Sequence, residues 1–249
     1  MKKTSQAVVF KVGPERSAFA LYRYESPLRT PAGEGYVLPT AALAEAIAAE
    51  WQAQQEWIGK HKPSESDPAA RRKAMAHAMP MTQLAATAID IVARERGRVV
   101  GQLTAHASTE LLCYRAEAPA ALAGRQHEIW QPYLDWCAER FGALLTAGTG
   151  VMPVRQSAKA ILALQNAVQA YDRFFLAGLG SAVDTTGSLV LGLALTEGAR
   201  NAGDIFEAAE LDANHQRAEW GDDPVTQSRR KSIRQELLAC EKWFGLLRG

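Results

Sequence analysis

Glycine-rich turns and serines are the first residues of this chain that could bind phosphate or act as nucleophiles. Gly148-Thr149-Gly150 and Gly178-Leu179-Gly180 lack the lysine and Ser/Thr of a Walker loop and the spacing of a dinucleotide-binding turn, so neither builds a phosphate cradle. We expect plain turns at both places. Ser181 and Ser188 lie near glycines but outside a Gly-x-Ser-x-Gly motif, which exposes a nucleophilic serine. A helical context that buries these hydroxyls is therefore predicted.

The histidines and cysteines do not predict a metal site. No pair among them has the His-x-x-x-His or Cys-x-x-Cys spacing that presets a coordination geometry. Cys113, Cys137 and Cys240 are odd in number and widely scattered, which suits reduced thiols better than a disulfide framework. A single thiol between leucines, as at Cys113, is expected to be packed rather than reactive. We expect no metal, no cofactor and no catalytic residue.

A group of carboxylates toward the C-terminal end could bind a partner by charge. The candidate partner-binding residues, with one neighbouring tryptophan, are Glu207, Glu210, Asp212, Glu219, Trp220 and Asp222. Such a cluster is most often a solvated helix face. The alternative is a polar surface that holds an arginine-bearing partner by charge and can release it again. The sequence does not fix which of these acids is essential.

Composition excludes some classes of partner. The 249 residues contain 28 Lys and Arg against 27 Asp and Glu, a net charge of +1, so no global field attracts nucleic acid or an anionic membrane surface. The charge-free apolar run over residues 185–196 is too short to span a bilayer. The first residues lack the apolar segment of a secretory signal. We expect a soluble protein that does not insert into membranes.

The pattern of predicted strands and helices indicates an α+β protein. It has a small N-terminal antiparallel β domain over residues 1–39 and a larger all-helical domain over residues 40–249. Residues 7–12 and 18–24 are rich in Val, Phe and Tyr around a turn at 13–17, and a second hairpin is predicted from 28–30 and 36–38. Thr40 can cap the first helix, along which Leu43, Ile47 and Trp51 recur on one face. Residues 58–78 are too polar to bury and are predicted to form an exposed insertion. Further helices are predicted from Pro80, over 119–141, 156–176, 204–220 and 224–247, with a central buried helix over 185–196.

Several blocks, in one order along the chain, resemble the assembly chaperones that attend the alpha subunit of the F1 sector of ATP synthase in mitochondria and alphaproteobacteria. The blocks are Thr30-Pro31, Leu38-Pro39, Glu50-Trp51-x-x-Gln54, Met79-Pro80-Met81-Thr82, Leu84, Thr87-Ala88, Asp90, residues 111–116, Gln126, Trp130, Pro132, Leu134, Trp136, residues 150–153, residues 187–190 and Trp220-Gly221. The sequence departs from the family pattern in a shorter start, in the 58–78 insertion, and in Ala213 and Asn214, which stand where carboxylates are common.

The resemblance implies a function that needs no catalysis. It implies that the chain binds the unassembled F1 alpha subunit, shields the face later taken by beta, and hydrolyses no ATP. It also implies an essential acid within the acidic segment from Glu207 to Asp223, without fixing which one, and a location in the bacterial cytoplasm, or in the mitochondrial matrix for a processed eukaryotic form. We expect the free chaperone to be a monomer. The family-motif residues Trp51, Tyr114 and Trp130 are interpreted as structural, although Trp51 could also belong to an apolar partner surface.

Two other interpretations remain open from the sequence. One is a small-molecule enzyme of unknown class with a pocket between the two domains, where clefts often form. The other is a permanent subunit of a complex. Gel filtration of cell extract separates a subunit, which is found within the finished ATP synthase, from a chaperone, which is found mainly outside it.

Overall fold

The computed structural model describes residues 10–15, 18–61, 79–150, 152–221 and 223–249. The chain divides into two compact units. Unit 1 comprises Met1–Arg94 together with Gly245–Gly249, and unit 2 comprises Glu95–Phe244.

The sheet of unit 1 is built around its second strand. β1 (Phe10–Glu15) pairs antiparallel with β2 (Ala18–Arg23), with Phe10 opposite Arg23 and Glu15 opposite Ala18. The short strands β3 (Ser26–Pro27) and β4 (Val37–Leu38) both pair with β2 as well. The second predicted hairpin is therefore only partly correct, because its arms meet at an isolated bridge between Arg29 and Gly35 while their ends attach to β2. A small antiparallel N-terminal sheet is confirmed.

Helix α1 (Ala41–His61) covers this sheet. Thr40 caps it as predicted, since its Oγ1 accepts from the Leu43 N–H at 3.2 Å. Leu43 and Ile47 are fully buried, and Trp51 is half-buried on the same helix. Residues 58–61 continue α1 rather than opening a loop, because their helical hydrogen bonding is unbroken. Residues 62–78 of the predicted insertion lie outside the described residues.

Two carboxylates join α1 and the turns of unit 1 to the next helical segment. Helix α2 (Pro80–Ala86) starts at its predicted proline and continues through a π-helical segment, Thr87–Val92. Glu50 accepts from the Met81 and Thr82 N–H groups at 2.9 Å and from the Thr82 hydroxyl at 2.7 Å. Asp90 accepts the Thr30 hydroxyl at 2.6 Å and the Ala32 N–H at 3.0 Å. The predicted domain boundary after residue 39 stays a prediction. The first compact unit extends beyond that residue, because α1 packs on the strands.

Unit 2 is helical around a buried central helix. The helices after α2 are α3 (Ala93–Ala105), α4 (Ala120–Phe141), α5 (Ala158–Ala170), α6 (Arg173–Thr186), α7 (Leu189–Glu197), α8 (Ala202–Ala209), α9 (Leu211–Trp220) and α10 (Pro224–Arg248). Every residue of α7 from Leu189 to Thr196 is buried, as predicted. It begins later than predicted because Gly187, at φ 72°, ends α6, and Ser188 caps α7 by accepting from the Leu191 N–H at 3.0 Å.

Two predicted helices are each divided by a local cap. Asp172 accepts from the Phe174 and Phe175 N–H groups, so it starts a new helix within residues 156–176. Glu210, at φ −98° and ψ 14°, separates α8 from α9 within 204–220. The turn predicted at 178–180 is wrong, because these residues lie within α6. A Cβ at Gly178 would lie 2.6 Å from Trp243, so this glycine permits close packing of α6 against α10.

A pair of short strands follows two 3₁₀ turns in unit 2. The turns cover His106–Thr109 and Leu111–Cys113, and β5 (Tyr114–Arg115) then pairs in parallel with β6 (Gly148–Thr149). Within the described stretches, none of the helices combines the length and apolar character that crossing a bilayer requires.

Candidate partner-binding surface

Glu210 sits where α8 meets α9 and ties both helices to α10. Its backbone N–H donates to Phe206 O at 3.0 Å, and its carbonyl accepts from Asn214 N at 2.8 Å. Its side chain is 4% exposed and pairs with Arg229 at 3.2 Å and Arg230 at 3.4 Å. A carboxylate that is buried between two helices and two cations acts as a packing element. Glu210 is therefore a structural acid rather than an accessible one.

Arg230 extends this network to the rim. Its guanidinium lies 5.0 Å over the Phe206 ring and also donates to the Asn214 side-chain oxygen. The Asn214 amide nitrogen in turn donates to Glu207 at 3.2 Å. Glu207 itself is exposed on α8. The arrangement therefore holds Glu207 in one orientation while leaving its carboxylate accessible.

Asp212 is fixed by a buried amide. Gln126, on α4, is 2% exposed and donates through Nε2 to the Asp212 carboxylate at 2.8 Å. The Gln126 Oε1 accepts from the Ala116 N–H at 2.7 Å, so both ends of this amide are satisfied. Asp212 is half-buried. Its position thus depends on α4 as well as on its own helix.

Trp130 and Arg115 lie on the same part of unit 2. Trp130 is 1% exposed, and its indole N–H donates to Ala208 O at 2.8 Å, which fastens α4 to α8. The Arg115 guanidinium stacks 5.3 Å from the Trp130 ring centre and donates to Gln126 O at 2.5 Å. Burial lowers the pKa of Arg115 from its ordinary value. Tyr114, half-buried in β5, precedes it.

The structure brings together only part of the predicted site. Glu207, Glu210 and Asp212 share the α8–α9 segment. The backbone of Glu219 and Trp220 lies in α9, but their side chains, and Asp222 altogether, lie outside the described residues. Trp51 belongs to unit 1, whereas Tyr114 and Trp130 belong to unit 2.

The contacts by which four residues hold the acids in place were not predicted from the sequence. The four are Gln126, Asn214, Arg229 and Arg230. The Gln126 and Trp130 spacing of four residues could have indicated a shared helix face, since such positions are neighbours on a helix. Nothing in the local sequence indicates the contacts of Arg230, because its partners lie 16 and 20 positions away.

The three thiols and Ser188 are packed in the core, whereas Ser181 is half-buried and donates its hydroxyl to Glu236 at 2.7 Å, so the predicted burial of both serines is only partly correct. Cys113, Cys137 and Cys240 are free and buried, as predicted. Burial raises the pKa of each thiol to about 12, so the reactive thiolate is suppressed. Ser188 is fully buried and donates its hydroxyl to Glu110. Among the residues that the structure describes, no three His, Cys, Asp or Glu side chains are placed to hold one metal ion.

Comparison with known proteins gives one family. The family model of the ATP12 chaperone protein matches residues 10–138. The crystal structure of Atp12 from Paracoccus denitrificans is similar with a TM-score of 0.83 and 34% identity over 96% of each chain. A variant of that Paracoccus protein, with one aspartate replaced by lysine, gives a TM-score of 0.84 and 33% identity over 96% of each chain. The crystal structure of a protein from Agrobacterium tumefaciens, which is proposed to be a chaperone, gives a TM-score of 0.83 and 31% identity over 97% of this chain and 85% of the other chain.

Proposed function

Because the chain belongs to the ATP12 chaperone protein family, we propose that it binds the unassembled alpha subunit of F1 ATP synthase and covers the face later taken by beta. A subunit face that is built for assembly is apolar and self-associates when left uncovered. Temporary cover, followed by exchange for the larger native interface, keeps such a subunit soluble. The mechanism needs no catalytic residue and no ATP hydrolysis. It places the chain where alpha is folded, in the bacterial cytoplasm or the mitochondrial matrix.

The observation that carries the proposal is the pair of accessible carboxylates, Glu207 and Asp212, held in a fixed frame. Glu207 is oriented by Asn214, and Asp212 by the buried Gln126 amide. Oriented acids can pair with arginines on a partner without fusing two apolar surfaces, so the contact can be broken later. Glu210 has a structural role beneath these acids, because its own carboxylate forms ion pairs with Arg229 and Arg230. Glu219, Trp220 and Asp222 remain candidates for the same contact.

A displacement experiment tests the proposal. Purified chain is mixed with isolated alpha in nucleotide-free buffer and separated by size-exclusion chromatography, and beta is then added. We expect a stable complex with alpha in the absence of ATP and release of the chain when beta binds. A mixture in which alpha elutes alone, or in which the chain stays bound to an alpha–beta pair, contradicts the proposal.

Substitutions of the two acids test whether the candidate partner-binding surface makes the contact with alpha. The double substitution Glu207→Gln with Asp212→Asn removes two charges and keeps oxygen acceptors in place. Glu139→Gln is the matched control, because Glu139 is an exposed acid on α4. We expect the double variant to bind alpha several-fold more weakly and the control to bind as the wild type does. Equal affinity for all three proteins would remove these acids from the contact surface.

A further inference from the structure

Arg115 carries a positive charge with which no carboxylate among the described residues forms an ion pair. Its guanidinium is half-buried and bonds to neutral acceptors, Gln126 O at 2.5 Å and Gln131 Oε1 at 3.3 Å. Taking a charge partly out of water without an opposite charge is unfavourable. The unused guanidinium donors are therefore suited to an external carboxylate.

The loop that follows α4 is fastened beside Arg115. The Gly150 N–H donates to Arg115 O at 2.9 Å, next to the β5–β6 pairing. The Gln156 side chain joins Thr146 through two hydrogen bonds, of 2.8 and 2.9 Å. A Cβ at Gly148 would lie 2.6 Å from the Val154 side chain, so the loop closes tightly on itself. These contacts hold the described part of the loop at Thr146, Gly148 and Gly150.

A large apolar side chain is exposed two residues beyond the point where the loop bonds to the Arg115 backbone. Met152 is 74% exposed and lies two residues after Gly150, within a chain reach of about 7 Å. Leu144, in the same connection, is 75% exposed. Methionine adapts its shape to a partner surface, and arginine is enriched among the residues that dominate binding energy. Glu117, whose Oε2 would lie 3.6 Å from a Cβ at Gly150, also borders the loop but leaves Arg115 unpaired.

We propose that Arg115 and Met152 form a second contact site for the client, one that takes a carboxylate flanked by an apolar side chain. This inference rests on the proposed function. The positive charge selects an acidic residue, and Met152 selects the apolar surface next to it. Asp212 also touches Gln126, the residue that holds Arg115, so the second site is continuous with the acidic surface. The client must then present an arginine for the acids and a carboxylate for Arg115.

The test compares Arg115→Gln, Arg115→Lys and Met152→Ser with the control Lys242→Gln, which removes one charge from an exposed residue of α10. The dissociation constant for isolated alpha is measured at low and high salt, and thermal melting checks the fold. We expect Arg115→Gln to weaken binding about tenfold at low salt and to lose part of the salt dependence, because a charge pair disappears. Arg115→Lys keeps the charge but not the planar guanidinium, so its dissociation constant should lie between those of the wild type and Arg115→Gln. Met152→Ser should weaken binding about threefold with unchanged salt dependence, and Lys242→Gln should match the wild type.

The outcomes separate this site from the proposed function. If wild-type chain ignores alpha, the proposed function fails, and this site fails with it. If wild-type chain binds alpha and the Arg115 and Met152 variants, folded, bind equally well, only the second site is overturned. Should Arg115→Gln fail to fold, Arg115→Lys and the exposed Met152→Ser decide the result. Self-association that disappears in these variants while alpha binding is unchanged would assign the surface to a second copy of the chain and overturn the proposal.

Discussion

The side-chain amide of Gln126 donates to the carboxylate of Asp212 at 2.8 Å, which joins α4 to α9. Gln126 is buried, whereas Asp212 reaches the surface. A surface acid is thus oriented by a residue of the core, 86 positions away in the chain. If Asp212 contacts the client as proposed, one residue serves both binding and stability, and different substitutions should separate the two.

Asp212→Asn and Asp212→Ala should have different effects. Asparagine keeps an oxygen that accepts from Gln126, so stability should stay near that of the wild type while alpha binding weakens through the lost charge. Alanine leaves the buried amide donor unpaired, which should cost about 1–2 kcal/mol of unfolding free energy. Urea unfolding and a binding titration on both variants measure the two effects. Two variants of equal stability would contradict this role of Gln126.

Glu210→Ala should lower the free energy of unfolding, because Glu210 is a buried structural acid rather than an accessible one. The substitution leaves Arg230, whose side chain is 13% exposed, without its carboxylate and removes the tie between the α8–α9 junction and α10. We expect a loss of about 2 kcal/mol in unfolding free energy, allowing for the exposure of Arg229. Glu207→Gln is the control, because Glu207 is exposed and should change stability by less than about 0.5 kcal/mol. Similar unfolding midpoints for the two variants would argue against the structural assignment of Glu210.

Glu50→Ala tests the frame of unit 1. The carboxylate satisfies two N–H groups in the first turn of α2 and the Thr82 hydroxyl, so its removal leaves these donors without their partner. We expect a loss of about 2 kcal/mol, comparable to loss of a strong N-cap. Glu45→Ala on the exposed side of α1 is the matched control. The expectation fails if both variants unfold at the same urea concentration.

Glu110 should make stability depend on pH. Burial raises its pKa above the ordinary value of 4.5, against the effect of hydrogen bonds from Ser188 and from the Val190, Leu112 and Leu189 N–H groups. A raised native pKa means that the contribution of this carboxyl is full below its unfolded pKa and is lost as pH rises through the native pKa. Relative to Glu110→Gln, which cannot titrate, the wild type should therefore lose stability as pH rises from about 4.3, the pKa of a glutamate in an unfolded chain, into the neutral range. The neighbouring thiols of Cys113 and Cys137 stay protonated in this range, since burial raises the pKa of each to about 12.

Urea unfolding of both proteins across that range is the measurement. Only the slopes are compared, because glutamine cannot reproduce both acceptor oxygens and lowers the stability at every pH. Parallel curves would show that Glu110 has the same pKa in the folded and unfolded chain.

Local chemistry explains which elements could be predicted. Thr40, Pro80 and Gly142 mark helix ends through their own backbone and side-chain preferences, and the structure confirms each of them. Gly187 ends α6 within a segment that was predicted as one helix, 185–196. The break at Asp172 was missed although the cap is local, because the apolar pattern continues through it. Arg96, which donates to Gln169 O and Tyr171 O there, adds a long-range contact that one sequence does not reveal.

The candidate site was harder to predict than the fold for the same reason. Glu207 and Glu210 stand three residues apart and are chemically alike, yet one is exposed and the other is buried against arginines from α10. Burial of an acid depends on partners that arrive through tertiary packing. Arg115 illustrates the converse, since the absence of a carboxylate partner for it among the described residues can be seen only once the surrounding helices are placed.

The most direct measurement is co-expression of the chain with the F1 alpha subunit alone, in cells that make no beta. We expect alpha to be insoluble when it is expressed by itself, and to stay in the soluble fraction and co-purify with the chain in equal amounts when both are made. Alpha that remains insoluble, or that purifies without the chain, would contradict this expectation.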